Sequence, residues 1–215
     1  MEATIQILIY SHAFLGAIGL LAGLASIILK KGSKPHQKMG KLFSVSMFGS
    51  CLLSLFIACM PKHENPFLFL IGFFTIYLVI SGNRVLTFKT KSKADFIDKI
   101  ISGTMFLAAI VMLLFGIYGM INALSQSFLF VFFGAFGLFM STKDFIFFNL
   151  LHKKNWLAQH IGKMVGAFIA SVTAFIVAGL SLGSILSWIV PSIVGTLYII
   201  YWNRKMKPKT RLIAK

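Results

Sequence analysis

The sequence predicts an all-α protein, a polytopic membrane bundle of seven transmembrane helices. Three observations carry this expectation. The chain is 58% hydrophobic and only 12% charged, against roughly 25% charged residues in a soluble domain. Its apolar residues fall into seven runs, most of them near the ~20 residues that a spanning helix needs. The runs are continuous and do not alternate with polar residues, which excludes the strands of a membrane barrel. In lipid every backbone group must find its partner within the protein, so a run of this kind is a helix. Together these features exclude a disordered chain, a secreted disulfide scaffold and a soluble enzyme.

The first run, residues 4–29, has Glu2 as its first charge and no basic stretch before it. It is too long for the apolar part of a cleavable signal and reads as a retained helix. The basic turn Lys30-Lys31-Gly32-Ser33-Lys34-Pro35 leads to a second run at 41–60, which ends at Pro61-Lys62-His63-Glu64-Asn65-Pro66. The third run, 67–88, is closed by the polar stretch from Lys89 to Asp98. The fourth and fifth, 100–123 and 126–142, are joined by a tight turn from Asn122 to Ser127. The stretch from Asp144 to Gln159 mixes Phe and Leu with His152, Lys153 and Lys154. It either extends the fifth helix or lies in the interface as an amphipathic piece. The sixth run, 161–183, and the seventh, 185–203, are separated by Leu182-Gly183-Ser184, and Pro191 is expected to kink the last helix. Residues 1–203 thus form one membrane domain, followed by a basic tail at 204–215.

Charge sets the expected orientation. Every Lys and Arg except Lys62 falls in the first, third or fifth connection, at the helix ends beside them, or in the tail. The positive-inside rule then places the N-terminus outside and the C-terminus in the cytoplasm of a bacterial inner membrane. An even number of helices would destroy this alternation. Trp156, Tyr201 and Trp202 near inner ends and Trp188 near an outer end suit interfacial aromatics. The net charge of +16 therefore points to membrane orientation and anionic lipid headgroups as partners. It does not point to nucleic acid, because no folded basic domain or Arg-rich face is present to enter a groove.

The five acidic residues, Glu2, Glu64, Asp95, Asp98 and Asp144, are all expected at helix ends or in loops. That argues against a pump or sodium-coupled carrier built on buried carboxylates. Cys51 and Cys59 are too few for a thiolate metal site and read as small hydrophobes. His12 is the one clearly intramembrane ionisable residue. With Gly16, Gly19 and Gly23 it shares one helical face, and glycines there permit close helix approach. His12 therefore points into the bundle, either as a binding or relay group or as a neutral ring bonded to a neighbouring helix. His36 and His160 each open an inward-running segment, in His36-Gln37-Lys38-Met39-Gly40 and His160-Ile161-Gly162-Lys163-Met164. The shifted likeness of the two hints at an internal repeat. With Lys38 or Lys163 and two helix N-termini they could hold an anion; the simpler alternative is capping and headgroup contact. Arg84 is expected to snorkel, and Asp144 to pair with Arg84 or orient His160. Tyr77 and Tyr118 read as packed aromatics or cavity-lining groups.

These same residues carry a resemblance. His12, Gly16 and Gly23, the basic turn, His36 and Gly40-Lys41-Leu42-Phe43 resemble the opening of an uncharacterised family of bacterial multi-pass membrane proteins. Trp156-Leu157-Ala158-Gln159-His160-Ile161-Gly162-Lys163-Met164, with Ala170-Ser171-Val172-Thr173, resembles that family's second signature. Many relatives carry His-Arg where this chain has His36-Gln37 and His160-Ile161, so no role for those arginines passes to it. The resemblance implies the helix count and marks the histidines; it supplies no activity.

Three function classes stay open. One is a redox protein with a single b-type haem held by His36 and His160, or a quinone. The second is a carrier for a small anionic or neutral solute. The third is a lipid-modifying enzyme or accessory subunit with His160 as acid and base. The expected binding residues are His12, His36, His160, Arg84 and Asp144.

Overall fold

The computed structural model describes residues 2–150 and 156–206. His152, Lys153, Lys154 and the tail beyond Met206 lie outside the described residues. Seven long helices follow one another: α1 (Glu2–Ile28), α2 (Lys34–Ile57), α3 (Pro66–Arg84), α4 (Phe96–Ile121), α5 (Ser127–Asn149), α6 (Trp156–Ala174) and α7 (Ile185–Met206). Each is long and apolar enough to cross a membrane. A 3₁₀ turn, Val85–Lys89, continues α3, and a π-helical turn, Phe175–Gly179, continues α6.

Local chemistry explains the ends. Ser33 caps α2 by accepting from the His36 N–H, with Pro35 in the first turn, where its missing N–H costs nothing. The second helix therefore starts at Lys34, well before the run expected from 41, because its first two turns are basic rather than apolar. Asn65 caps α3 in the same way, again with a proline just inside. Asp95 and Asp98 form a reciprocal capping box at the start of α4. The fifth helix runs through Asp144 to Asn149, well past the expected end at 142. Asp144 is therefore inside a helix, a correction to its expected place at an end or in a loop, while Asp98 stands in the first turn of α4 as expected; both are buried. Their hydrogen-bond partners make the burial tolerable, as shown below.

The neighbours run antiparallel. Along α1 and α2, Gly16 faces Ser50, Gly19 faces Met47 and Gly23 faces Phe43. The glycine face expected on the first helix is thus the one packed on the second. Along α4 and α5, Gly116 meets Val131 and Gly137 meets Met105. The third helix is the hub: 61% of its span is buried, whereas α7 is mostly exposed. Its Leu70, Ile71, Phe74, Tyr77 and Leu78 sit in the core with Phe133 of α5 and Ala167 of α6. Pro191 lies inside α7. The end of the bundle that holds the α1–α2 and α3–α4 connections, the end of α5 and the start of α6 carries all the basic residues but Lys62 among those described, and is called the basic end below.

Candidate functional site

Near the basic end, α3, α4, α5 and α6 converge on Asp144, with a partner that the sequence reading did not assign to it. Asp144 is 2% exposed and Lys163 3%. The Lys163 ammonium lies 2.5 Å from Asp144 Oδ1 and donates to Oδ2 at 2.7 Å. Tyr77 and Ser102 also donate their hydroxyls to Oδ2, each at 2.7 Å. The ammonium sits 5.0 Å from the centre of the Tyr77 ring, close enough for a cation–π attraction. One carboxylate thus draws donors from three other helices. All four groups stand one to two turns in from their helix ends. A buried ion pair survives only when its remaining lone pairs and protons find partners, and this one has them.

Beside it lies a second knot of charge. Arg84 donates from Nε to Asp98 Oδ1 at 2.6 Å and from Nη2 to both oxygens of Asp95, at 2.8 and 2.9 Å. Lys91 reaches Asp95 at 2.5 Å and Asp98 at 3.3 Å. Arg84 therefore neither snorkels nor meets Asp144, as the sequence had suggested. The capping box had placed two carboxylates within its reach. The Lys91 hydrogen bond, with the Asp98 backbone N–H behind it, holds the Asp95 carboxyl well below the usual carboxylate range. Reciprocally, Asp95 raises the Lys91 ammonium above its ordinary value.

A cavity of about 10 Å³ separates the two knots. Ser81, Arg84, Asp98, Ser102, Asp144 and Lys163 line it. That is room for roughly one water molecule among several polar partners.

The histidines occupy two separate places. His36 on α2 and His160 on α6 both lie at the basic end. His36 Nδ1 lies 3.0 Å from Ser26 O and His160 Nδ1 lies 2.8 Å from Gly82 O. A carbonyl only accepts, so each ring carries a proton on Nδ1 and turns Nε2 away from these contacts. His12 stands far along α1 toward the opposite end. Its Nδ1 faces Ser50 O at 2.9 Å and Ser50 Oγ at 3.0 Å, while that hydroxyl donates to His12 O at 2.9 Å. His12 is thus clamped to α2 and takes no part in the cluster at the basic end.

The expected anion pocket of His36, His160 and Lys38 or Lys163 loses Lys163, whose ammonium is neutralised by Asp144. A haem between His36 and His160 would need a slot as wide as its macrocycle. Asn83 on α3 instead donates to Ser44 on α2 at 2.9 Å and rests against Met164 Sδ of α6 at 3.9 Å. Met164 also packs on Gly82, 2.9 Å from where a Cβ would stand. The three helices are laced together at this level, and these residues do not fit a haem. Among the described residues no group of three or more His, Cys, Asp or Glu converges as a metal site.

Of the expected residues, Arg84 and Asp144 border the same cavity; His36 and His160 lie elsewhere at the basic end, and His12 is apart. Lys163 as the partner of Asp144, and Ser102, were missed. One signal was available: the apolar run Phe145-Ile146-Phe147-Phe148 after Asp144 already argued that the helix continues past it. No family model, curated protein or solved structure matches the chain.

Proposed function

We propose that this chain is a multi-pass protein of a bacterial inner membrane, N-terminus outside and C-terminus in the cytoplasm, that carries a small anion together with a proton. The observation behind this reading is the buried Asp144–Lys163 pair beside a water-sized cavity inside the spanning segments. Ionisable residues at such a depth are costly and by default functional. The charge distribution and the resemblance to bacterial membrane proteins support the location.

The chemistry follows from the pair. With Asp144 ionised, Lys163 is neutralised and the site is closed. A proton on Asp144 removes the counter-charge, and a lone ammonium in a poorly solvating interior demands a replacement anion. Arg84 at the cavity wall adds a second cation, though Asp98 and Asp95 hold it. Tyr77 and Ser102 remain as donors to the incoming anion or to the protonated carboxyl. One proton and one monoanion then move together without net charge. Return of the proton restores the ion pair and expels the anion.

The test uses proteoliposomes with a pH-sensitive dye in the lumen and a panel of short monocarboxylates and inorganic monoanions outside. At least one anion is expected to acidify the lumen without dependence on membrane potential. Asp144→Asn, inserted and folded, is expected to abolish that signal. If no anion moves protons faster than in empty vesicles, the reading is wrong.

Lipid chemistry at the basic end is the second reading, favoured by the His160 Nε2, which the Gly82 contact leaves unused. It requires turnover of a phospholipid that His160→Ala abolishes while transport persists.

A further inference from the structure

At the basic end, an open groove of about 520 Å³ runs between the last turn of α1 and the first turns of α2. Ala25, Ile28, Leu29 and Met39 give it apolar walls, and Lys34 and Lys38 stand on its rim with Pro35 between them. The two lysines are spaced i, i+4 and share one helix face.

Charge accounting shows what is missing there. The chain has five acidic residues. Asp95, Asp98 and Asp144 are taken up by Arg84, Lys91 and Lys163. Glu2 and Glu64 belong to the opposite end of the bundle. No Asp or Glu is left in the whole sequence to neutralise Lys34 or Lys38. Lys31, next in line, is engaged otherwise: its ammonium caps α1 by donating to Ser26 O and Ile27 O. It also lies 5.5 Å from the ring centres of both Tyr198 and Trp202. No side-chain carboxylate among the described residues pairs with Lys34 or Lys38, which leaves both free for an anion from outside. The apolar wall beneath them selects an anion that carries hydrocarbon.

We infer that this groove binds one anionic phospholipid, its phosphate between Lys34 and Lys38 and an acyl chain along Ala25, Ile28, Leu29 and Met39. The inference rests on the membrane-spanning reading and is independent of proton-linked transport. The site differs from the general attraction of a basic surface for an anionic leaflet, because it has a shape and an apolar floor. It also lies on the α1–α2 hinge, so an occupied groove would splint the two helices that His12 and His36 already clamp.

Native mass spectrometry of the detergent-released full chain, given equimolar phosphatidylglycerol and phosphatidylcholine, tests this. The wild type is expected to retain phosphatidylglycerol preferentially in a one-to-one adduct. Lys34→Gln/Lys38→Gln should lower that retention about thirty-fold, at roughly fivefold per lysine near the lipid phosphate. The control Lys89→Gln/Lys99→Gln removes the same charge elsewhere on the basic end and should leave the adduct intact. Short-chain phosphatidylglycerol and inorganic phosphate should compete poorly, because neither fills the apolar wall. Equal loss in both double variants would reduce the effect to diffuse charge and overturn the site. Ready displacement by inorganic phosphate would overturn the lipid assignment.

Discussion

Asp144 and Lys163 show how a single charge pair links stability to activity. Removing one partner strands the other in a site where neither is more than 3% exposed. Asp144→Asn or Lys163→Met alone is expected to cost about 3–5 kcal/mol. Asp144→Leu/Lys163→Met removes both charges and is expected to cost far less than the sum, because no ion is left unpaired. Unfolding in detergent, run as a double-mutant cycle, measures the difference; additive losses would mean the pair is not coupled. Asp95 and Lys91 behave differently because they meet near water, where screening weakens them. The depressed carboxyl of Asp95 contributes above the unfolded value near about pH 4 and is lost as pH falls through its lower folded value. The raised ammonium of Lys91 contributes below about pH 10.4 and is lost as pH rises through its higher folded value. The knot is therefore flat in pH across the physiological range. A carbon-13 titration of the Asp95 carboxyl should show a midpoint below the usual range that moves up in Lys91→Gln. No such movement would remove Lys91 as the cause. At this scale the sequence was only partly legible. It marked His36, His160, Arg84 and Asp144, but pair partners are set by helix rotation, and Asp144 on α5 meets Lys163 on α6 in a register that spacing does not describe.

Between elements, glycines set how closely the helices pack. Gly82 on α3 lies where an added Cβ would stand 2.9 Å from Met164 Sδ and 3.1 Å from Lys163 Cβ. The sulfur can swing away, but the Lys163 Cβ is anchored to its backbone. Gly82→Ala should therefore destabilise by about 1–3 kcal/mol and disturb both the His160–Gly82 bond and the Lys163 ammonium. Gly103 on α4 has nothing within 4 Å of its would-be Cβ. Gly103→Ala should be neutral, or stabilising by up to about 1 kcal/mol through helix propensity. Detergent melting of the two variants checks the contrast; equal effects would mean that contact at Gly82 does not govern the packing. Element existence was legible here, because seven apolar runs allow little else. Element ends were less so. Pro35 looked like a break, yet stands in the first turn of α2, where proline is welcome. The charge at Asp144 looked like a stop, yet the helix carries it inward because Tyr77, Ser102 and Lys163 receive it.

Across the whole molecule, the two ends of the bundle differ in kind. The basic end gathers the ion knots, His36 and His160, and the lysines of the α1–α2 groove. The opposite end has Lys62 and Glu64 and connections built on left-handed residues, among them Lys62, Ala123, Gln126 and Ser181. If the positive-inside rule governs insertion, the basic end faces the cytoplasm. The chain carries its own probe for this. Cys59 is exposed just beyond α2 at the end away from the basic loops, whereas Cys51 is buried within that helix. A membrane-impermeant maleimide applied to intact cells with a permeable outer layer should label the wild type at Cys59 and leave Cys59→Ser unlabelled. A cysteine placed at Lys93, on a Cys59→Ser background, should react only after the membrane is opened. The reverse pattern would invert the bundle. The proton-linked site would then open toward the outside, and the lysine groove would face the outer leaflet. On the proposed reading, insertion and transport would depend on one asymmetry: the basic residues that would orient the chain lie at the same end as the only deeply buried ion pair among the described residues.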